Sequence, residues 1–329
     1  MLYREIGNTG IEASVVVLGT WGIGGGSVWG GDTEEKQLID TIHAAIDGGV
    51  NFIDTAPGYG FGESERVIGK AIKGRRDDLV IATKCGLIWD WDGVEHFATD
   101  GKTLKRNLTP QSIRREVEES LARLGTDYLD LYQVHWPAIP PMNTPIEETL
   151  DCLVSLQQEG KLRALGISNL TEEETRQYCS GGHMATNQIR YSMLWEDEAR
   201  PTIELNQELG MSTLAYQTLE QGLLSGKITM DTQFDPNDIR AVDAWNPWFV
   251  PEKRRQVLEV LAGWQSLTNK YNCSMAQLVI AASYMLPGVD FVLCGARTSH
   301  HAAQNAAAGE LQVSPEDALA MLADIRALF

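Results

Sequence analysis

Three short segments place ionisable side chains where buried strands should end. Phe52-Ile53-Asp54 runs into Thr55-Ala56-Pro57-Gly58-Tyr59-Gly60, Thr83 is followed by Lys84-Cys85, and Gln133-Val134 by His135-Trp136-Pro137. Each residue alone has an ordinary explanation: Asp54 as a helix cap, Tyr59 as a loop aromatic, Lys84 or His135 as a satisfied core group. Four ionisable types at the ends of three consecutive apolar runs are harder to ascribe to packing. Their chemistry is also mutually consistent. A tyrosine hydroxyl, with an ordinary pKa near ~10, gives up its proton reluctantly at neutral pH. An ammonium about 3 Å away favours the phenolate by roughly 5.5 kcal/mol at an effective dielectric of about 20. Lys84 is therefore expected to lower the pKa of Tyr59, with Asp54 keeping Lys84 charged. A neutral His135 would hydrogen-bond the substrate oxygen or share in the proton relay. Asp54, Tyr59, Lys84 and His135 are the expected catalytic residues, suited to protonating an oxygen as negative charge develops on it.

Such a constellation needs a scaffold of strands. Eight β-branched runs read as strands: Val15–Leu18, Asn51–Asp54, Leu79–Thr83, Tyr128–Val134, Ala164–Ile167, Thr186–Ile189, Ser212–Ala215 and Phe291–Cys294. Most are continuously apolar, as parallel strands covered on both faces must be. Helices fill the gaps. Thr109-Pro110 and Ser314-Pro315 place a capping hydroxyl before a proline, and Thr144 to Glu147 and Thr171 to Glu174 fit capping boxes. Eight strand–helix repeats allow a closed (β/α)8 TIM barrel or two doubly wound domains. No Pro/Ser-rich or charge-biased seam interrupts the middle, so one barrel domain over residues 1–329 is expected. Leu2–Ile6 and Ile11–Ala13 read as an N-terminal β-hairpin that plugs its bottom. Two long βα loops, residues 86–108 and 217–250, have no place in the repeat and are expected to be structureless binding loops or lids.

Composition narrows the function. Across 329 residues, 27 Lys and Arg stand against 45 Asp and Glu, a net charge of −18. That field repels phosphate backbones and anionic lipid, so neither nucleic-acid nor membrane partners are expected. The five cysteines lack CxxC spacing and the six histidines lack an HxH pair, so no metal site is expected. No secretory leader or apolar run of about 18 residues is visible, which predicts a cytoplasmic location. Gly22-Ile23-Gly24-Gly25-Gly26-Ser27 fails the dinucleotide fingerprint at its sixth position, and Gly69-Lys70-Ala71 fails the P-loop. The first glycine cluster reads instead as a flexible pocket wall.

The pattern Asp54-x-Ala56-x-x-Tyr59-Gly60, followed by Lys84 and His135, resembles the catalytic tetrad of the aldo-keto reductases. Gly166-Ile167-Ser168-Asn169 resembles that family's GxSN, Asn187-Gln188-Ile189 its NQ pair, and Ala215 to Lys227 the segment written AYSPLxxGxLTGK. Gly295-Ala296-Arg297-Thr298 with Gln304-Asn305 resembles its C-terminal dinucleotide loop. The resemblance covers nearly the whole chain. It implies a nicotinamide dinucleotide bound without a Rossmann domain and used to reduce an aldehyde or ketone, with Tyr59 as general acid.

The same resemblance assigns the cofactor residues. Tyr216 would stack on the nicotinamide, while Ser168, Asn169 and Gln188 bond its carboxamide beside Thr20, Trp21 and Asp54. Gln217, Leu219, Gln221 and Lys227 would fold over the pyrophosphate, and Gly295, Arg297, His301, Gln304 and Asn305 would hold the adenosine end. Gln217-Thr218 replaces the usual Ser-Pro, so the path there departs from the pattern. Arg297 as a 2′-phosphate ligand favours NADP over NAD. Eight of nine tryptophans (21, 29, 89, 91, 136, 195, 245 and 248) follow strands, and only Trp264 falls in a helix. This predicts an aromatic substrate pocket from Trp21, Trp29, Tyr59, His135 and Trp136, the other tryptophans pinning loops. Potassium-channel β-subunits share the barrel, so a redox-sensing regulatory subunit is the alternative function.

Overall fold

The computed structural model describes residues 1–29, 31–234, 238–241 and 246–328. Trp245, one of the expected pocket or pinning tryptophans, lies outside the described residues. The chain opens with β1 (Tyr3–Glu5) and β2 (Glu12–Ser14), an antiparallel hairpin. Then β3 (Val16–Gly19), β4 (Phe52–Asp54) and β5 (Val80–Cys85) begin a parallel sheet. After an excursion of β6 (Leu87–Ile88), β7 (Val94–Thr99) and β8 (Lys102–Arg106), the sheet resumes with β9 (Leu129–Val134) and β10 (Leu162–Ser168). It finishes with β11 (Met184–Arg190), β12 (Ser212–Tyr216) and β13 (Phe291–Gly295). β13 pairs with β3, so the eight parallel strands close into the expected (β/α)8 barrel.

Two apolar cores hold it. Inside, Val17, Phe52, Val80, Ala82, Leu131, Ala164, Leu214 and Phe291 are buried together with Ile6, Ile11 and Ala13 of the hairpin. The hairpin therefore does plug the barrel, because its apolar residues complete the innermost layer. Outside, a larger core fills the space between strands and helices. Thr109, Thr171 and Ser314 cap their helices through the N3 backbone N–H as expected. Thr144 does not: the helix starts at Ile146 and Pro145 occupies the cap, so the threonine falls one residue outside it.

Residues 86–108 correct the expectation of a structureless loop. β6, β8 and β7 form a three-stranded antiparallel sheet, with Thr99 opposite Lys102. Between them Asp100 and Gly101 both take positive φ, 50° and 73°, the geometry of a two-residue turn that matches strand twist. Among the described residues of the 217–250 segment, short 3-10 turns occur at Glu220–Ser225, Ile239–Ala241 and Pro247–Phe249. Among the described residues no helix is long and apolar enough to cross a membrane.

Candidate active site

The strand ends bring the four expected residues to one rim. Asp54 closes β4, Lys84 precedes the last residue of β5, and His135 follows β9. Lys84 is fully buried, and a buried ammonium must find an acceptor for each N–H. Its Nζ donates to Asp54 Oδ1 and Oδ2 at 2.9 and 2.8 Å and to the Thr55 carbonyl at 2.8 Å, and lies 3.3 Å from Tyr59 Oη. Asp54 Oδ1 also accepts from Gln188 Nε2 at 2.7 Å and Gln133 Nε2 at 3.3 Å. Burial pulls the Lys84 ammonium below its ordinary value, and the Asp54 carboxylate opposes that pull.

Tyr59 sits on a turn that only glycine completes. Gly60 has φ +65°, and a Cβ there would fall 2.1 Å from the Gly24 carbonyl oxygen; one on Gly24 would meet Tyr59 backbone at 2.6 Å. The glycine cluster is thus a close-packed seat for the tyrosine turn, more than a pocket wall. Burial, and after it the Asp54 carboxylate, push the Tyr59 phenol well above its ordinary value. This corrects the expectation that Lys84 lowers it. Both Asp54 oxygens close on the ammonium, so Tyr59 faces an ion pair instead of a free cation. His135 stands edge-on to Tyr59, with ring centroids 5.9 Å apart. Burial, then Lys84, hold its imidazole well below the ordinary range, which meets the condition of neutrality on which its role as a hydrogen-bonding partner depends.

A second network extends along the rim. Tyr216 Oη donates to Asn169 Oδ1 at 2.8 Å, Asn169 Nδ2 to the His135 carbonyl at 3.0 Å, and Ser168 Oγ to the Gln188 carbonyl at 2.7 Å. Thr20 Oγ1 donates to the Asp54 carbonyl at 2.8 Å. Beyond Tyr216 the chain turns sharply, with Gln217, Glu220 and Gln221 all at positive φ. Buried Glu220 anchors this departure from the Ser-Pro pattern by accepting from Arg190, Ser192 and Trp195. Leu219 is partly buried against the core at the same turn. Further round, Arg297 Nη1 donates to the Trp29 carbonyl at 2.7 Å, and Lys227 Nζ lies 3.4 Å from His301 Nε2. Asn305 Nδ2 donates to the Gly295 carbonyl at 3.2 Å, and the Gln304 carbonyl accepts from Gln277.

This rim fits a nicotinamide dinucleotide. His135 Nδ1, Gln217 Oε1 and both amide atoms of Gln221 are buried without hydrogen-bond partners among the described residues. Buried polar atoms left so are costly, and a ligand rich in amide and phosphate groups offers them partners. Lys227, Arg297 and the capped start of the helix Ser299–Ala308 add positive potential.

The tryptophans divide. Trp21 lies over Tyr59 at 6.2 Å and meets Trp29 edge-on at 5.0 Å. Trp136 packs against His96 and Arg106. Trp89 and Trp91 instead lie under Arg123 and Arg115, Trp195 under Arg190 and Trp248 under Lys253, so these pin segments in place. His96, Arg106 and the anchor Glu220 went unforeseen. The Asp100-Gly101 turn signal, had it been read, would have brought the first two to the rim. Among the described residues, no three His, Cys, Asp or Glu side chains are grouped to hold a metal ion.

Comparison with known proteins agrees with this geometry. The model of the Aldo/keto reductase family matches residues 15–326. The NADH-specific methylglyoxal reductase of Escherichia coli (strain K12) is 39% identical over 317 residues, covering 96% of each chain. Aldo-keto reductase YhdN of Bacillus subtilis (strain 168) is 40% identical over 300 residues, 90% of this chain and 85% of that protein. Among solved structures, the glycerol dehydrogenase AKR11B4 from Gluconobacter oxydans superposes with a TM-score of 0.86 at 32% identity, over 99% of this chain and 95% of that one. Matched over residues 15–326 and closed into the same barrel, the protein belongs to the aldo/keto reductase family and is an NAD(P)H-dependent carbonyl oxidoreductase.

Proposed function

We propose that residues 1–329 act as one catalytic unit that reduces small aldehydes or ketones, with Tyr59 as proton donor. The observation that carries this is the convergence of Tyr59 Oη, Lys84 Nζ and neutral His135 at the rim. A reduced nicotinamide held along that rim would supply the hydride for the carbonyl carbon. Tyr216, Ser168, Asn169 and Gln188 orient it, and Gln217, Leu219, Gln221 and Lys227 cover its phosphates. Gly295, Arg297, His301, Gln304 and Asn305 hold the far end. His135 aligns the carbonyl oxygen, and Tyr59 gives its proton to that oxygen as charge develops. Lys84 Nζ, held charged by Asp54, then donates to the phenolate left behind. Trp21 and Trp29 shield the reacting atoms from water.

NADH is the reductant this reading favours, in place of NADPH. The guanidinium of Arg297 is already engaged by the Trp29 carbonyl, and its charge acts on nearby Asp238, leaving less for a 2′-phosphate. The Escherichia coli relative, named NADH-specific, supports the same choice. Five free cysteines and an acidic surface suit a reducing cytoplasm and small-molecule substrates. The redox-sensor alternative draws no support from relatives named as reductases and a dehydrogenase. Oxidation of NADH and NADPH against a panel of aldehydes and ketones tests the reading. Faster NADH turnover is expected; no turnover with any carbonyl would overturn it.

A further inference from the structure

The β6–β8–β7 sheet carries to the rim a cation that the tetrad does not use. Arg106 ends β8, where its backbone pairs with Leu87 and Val94. Leu87 and Leu104 of this sheet pack beside Gly58, the residue before Tyr59, so the sheet crosses the catalytic turn. The Arg106 guanidinium lies 4.9 Å from the centre of the Trp136 ring, next in sequence to His135. Its Nε donates to His96 Nδ1 at 3.1 Å and its Nη1 to the Pro137 carbonyl at 3.3 Å.

All these partners are neutral. Burial, then Arg106 itself, hold the His96 imidazole down at about 4, so it brings no charge at pH 7. Among the described residues no carboxylate lies within ion-pair distance of Arg106, and its Nη2 has no hydrogen-bond partner. Glu174 acts on it only from longer range, and burial pulls its own pKa down. Elsewhere in this acidic chain, Arg66, Arg115, Arg123, Arg176 and Arg200 each meet a carboxylate. A half-buried guanidinium without a counter-charge is costly. Its planar fork, braced on Trp136, is the geometry that binds carboxylates in two parallel hydrogen bonds.

We propose that Arg106 is a substrate-binding residue and that the preferred substrates are aldehydes or ketones carrying a carboxylate. The proposal rests on the reductase reading of the same rim and deepens it. The net charge of −18 repels such anions at long range, so the local cation must select them at contact. His96 and Trp136 fix the guanidinium and leave Nη2 and the second Nη1 hydrogen for the substrate.

The test compares 4-oxobutanoate and 5-oxopentanoate with their methyl esters. Wild-type protein is expected to prefer the acids in kcat/KM by roughly 10- to 100-fold, the span of hydrogen bonds to charged groups. Arg106→Gln should erase that preference, and Arg106→Lys should restore only part of it. A merely structural role would lower acids and esters together, and that result, or equal wild-type rates for both, overturns the proposal. Unreactive pentanoate, followed by tryptophan fluorescence, separates the two readings. Pentanoate binding that Arg106→Gln abolishes, with no carbonyl reduced, keeps the subsite and removes the reductase reading. Ester reduction without pentanoate binding keeps the reductase and removes the subsite.

Discussion

Lys84 Nζ lies 2.9 and 2.8 Å from the two carboxylate oxygens of Asp54, with both side chains buried from solvent. The pair forms because a lysine in a barrel wall cannot stay charged without a counter-ion, and β4 delivers one from the neighbouring strand. Its consequence is that Tyr59, 3.3 Å away, keeps its proton at rest, because no bare ammonium stands there to stabilise a phenolate.

Breaking that pair should be costly. Lys84→Met leaves Asp54 buried with only its two glutamine donors, Gln188 and Gln133. A loss of about 3–5 kcal/mol is expected in urea unfolding, and the Asp54→Asn/Lys84→Met double variant should recover part of it. Additive losses in the double-mutant cycle would contradict the coupling.

The pH profile follows from directions alone. Tyr59 is the acid in reduction and its pKa is raised by burial, so it remains protonated throughout the neutral range. Reduction kcat/KM should therefore show no alkaline limb from Tyr59 below about pH 10. His135, held neutral, should add no step near pH 6–7. Alcohol oxidation needs the phenolate and should rise with pH through the alkaline range. A reduction limb centred near pH 7–8 would contradict this assignment.

A buried carboxyl outside the rim makes a stability prediction. Glu116, on the helix Pro110–Leu124, accepts from Gly86 N–H and Ser112 Oγ, and burial pushes it up to about 8. Between about 4.5 and 8 the folded chain holds a proton there that the unfolded chain has lost. Stability from this group is thus full below about 4.5 and lost as pH rises through about 8, a loss of order 3–5 kcal/mol. Glu116→Gln should flatten that fall in urea midpoints measured at pH 5 and 8.5; an unchanged slope would contradict it.

How much of this the sequence disclosed depends on how each feature is encoded. The eight barrel strands stood out because burial on both faces writes continuous apolar runs. The tetrad stood out because ionisable residues interrupt those runs at their ends. The β7–β8 hairpin did not, since its exposed strands alternate weakly and only Asp100-Gly101 marks the turn. Arg106 belongs to no motif; its meaning lies in the carboxylates that it lacks. The direction of the Tyr59 shift was also hidden, because it depends on how completely Asp54 neutralises Lys84.

The aromatic wall predicts a size effect. Trp21 lies over Tyr59 and is buttressed by Trp29, so Trp21→Ala and Trp29→Ala should raise KM for bulky aldehydes by roughly tenfold. Trp136→Ala should also raise it, through loss of packing beside His96 and Arg106. Unchanged KM in all three would remove the wall from the substrate site.

The central claim is that Tyr59 Oη delivers the proton to the carbonyl oxygen. Tyr59→Phe removes that one atom and preserves the ring beneath Trp21. Carbonyl reduction by this variant, measured beside NADH binding by fluorescence titration, is the most direct test. A fall in kcat of about 10²–10⁴, with NADH affinity within a few-fold of wild type, is the predicted result. Turnover within tenfold of wild type would contradict it.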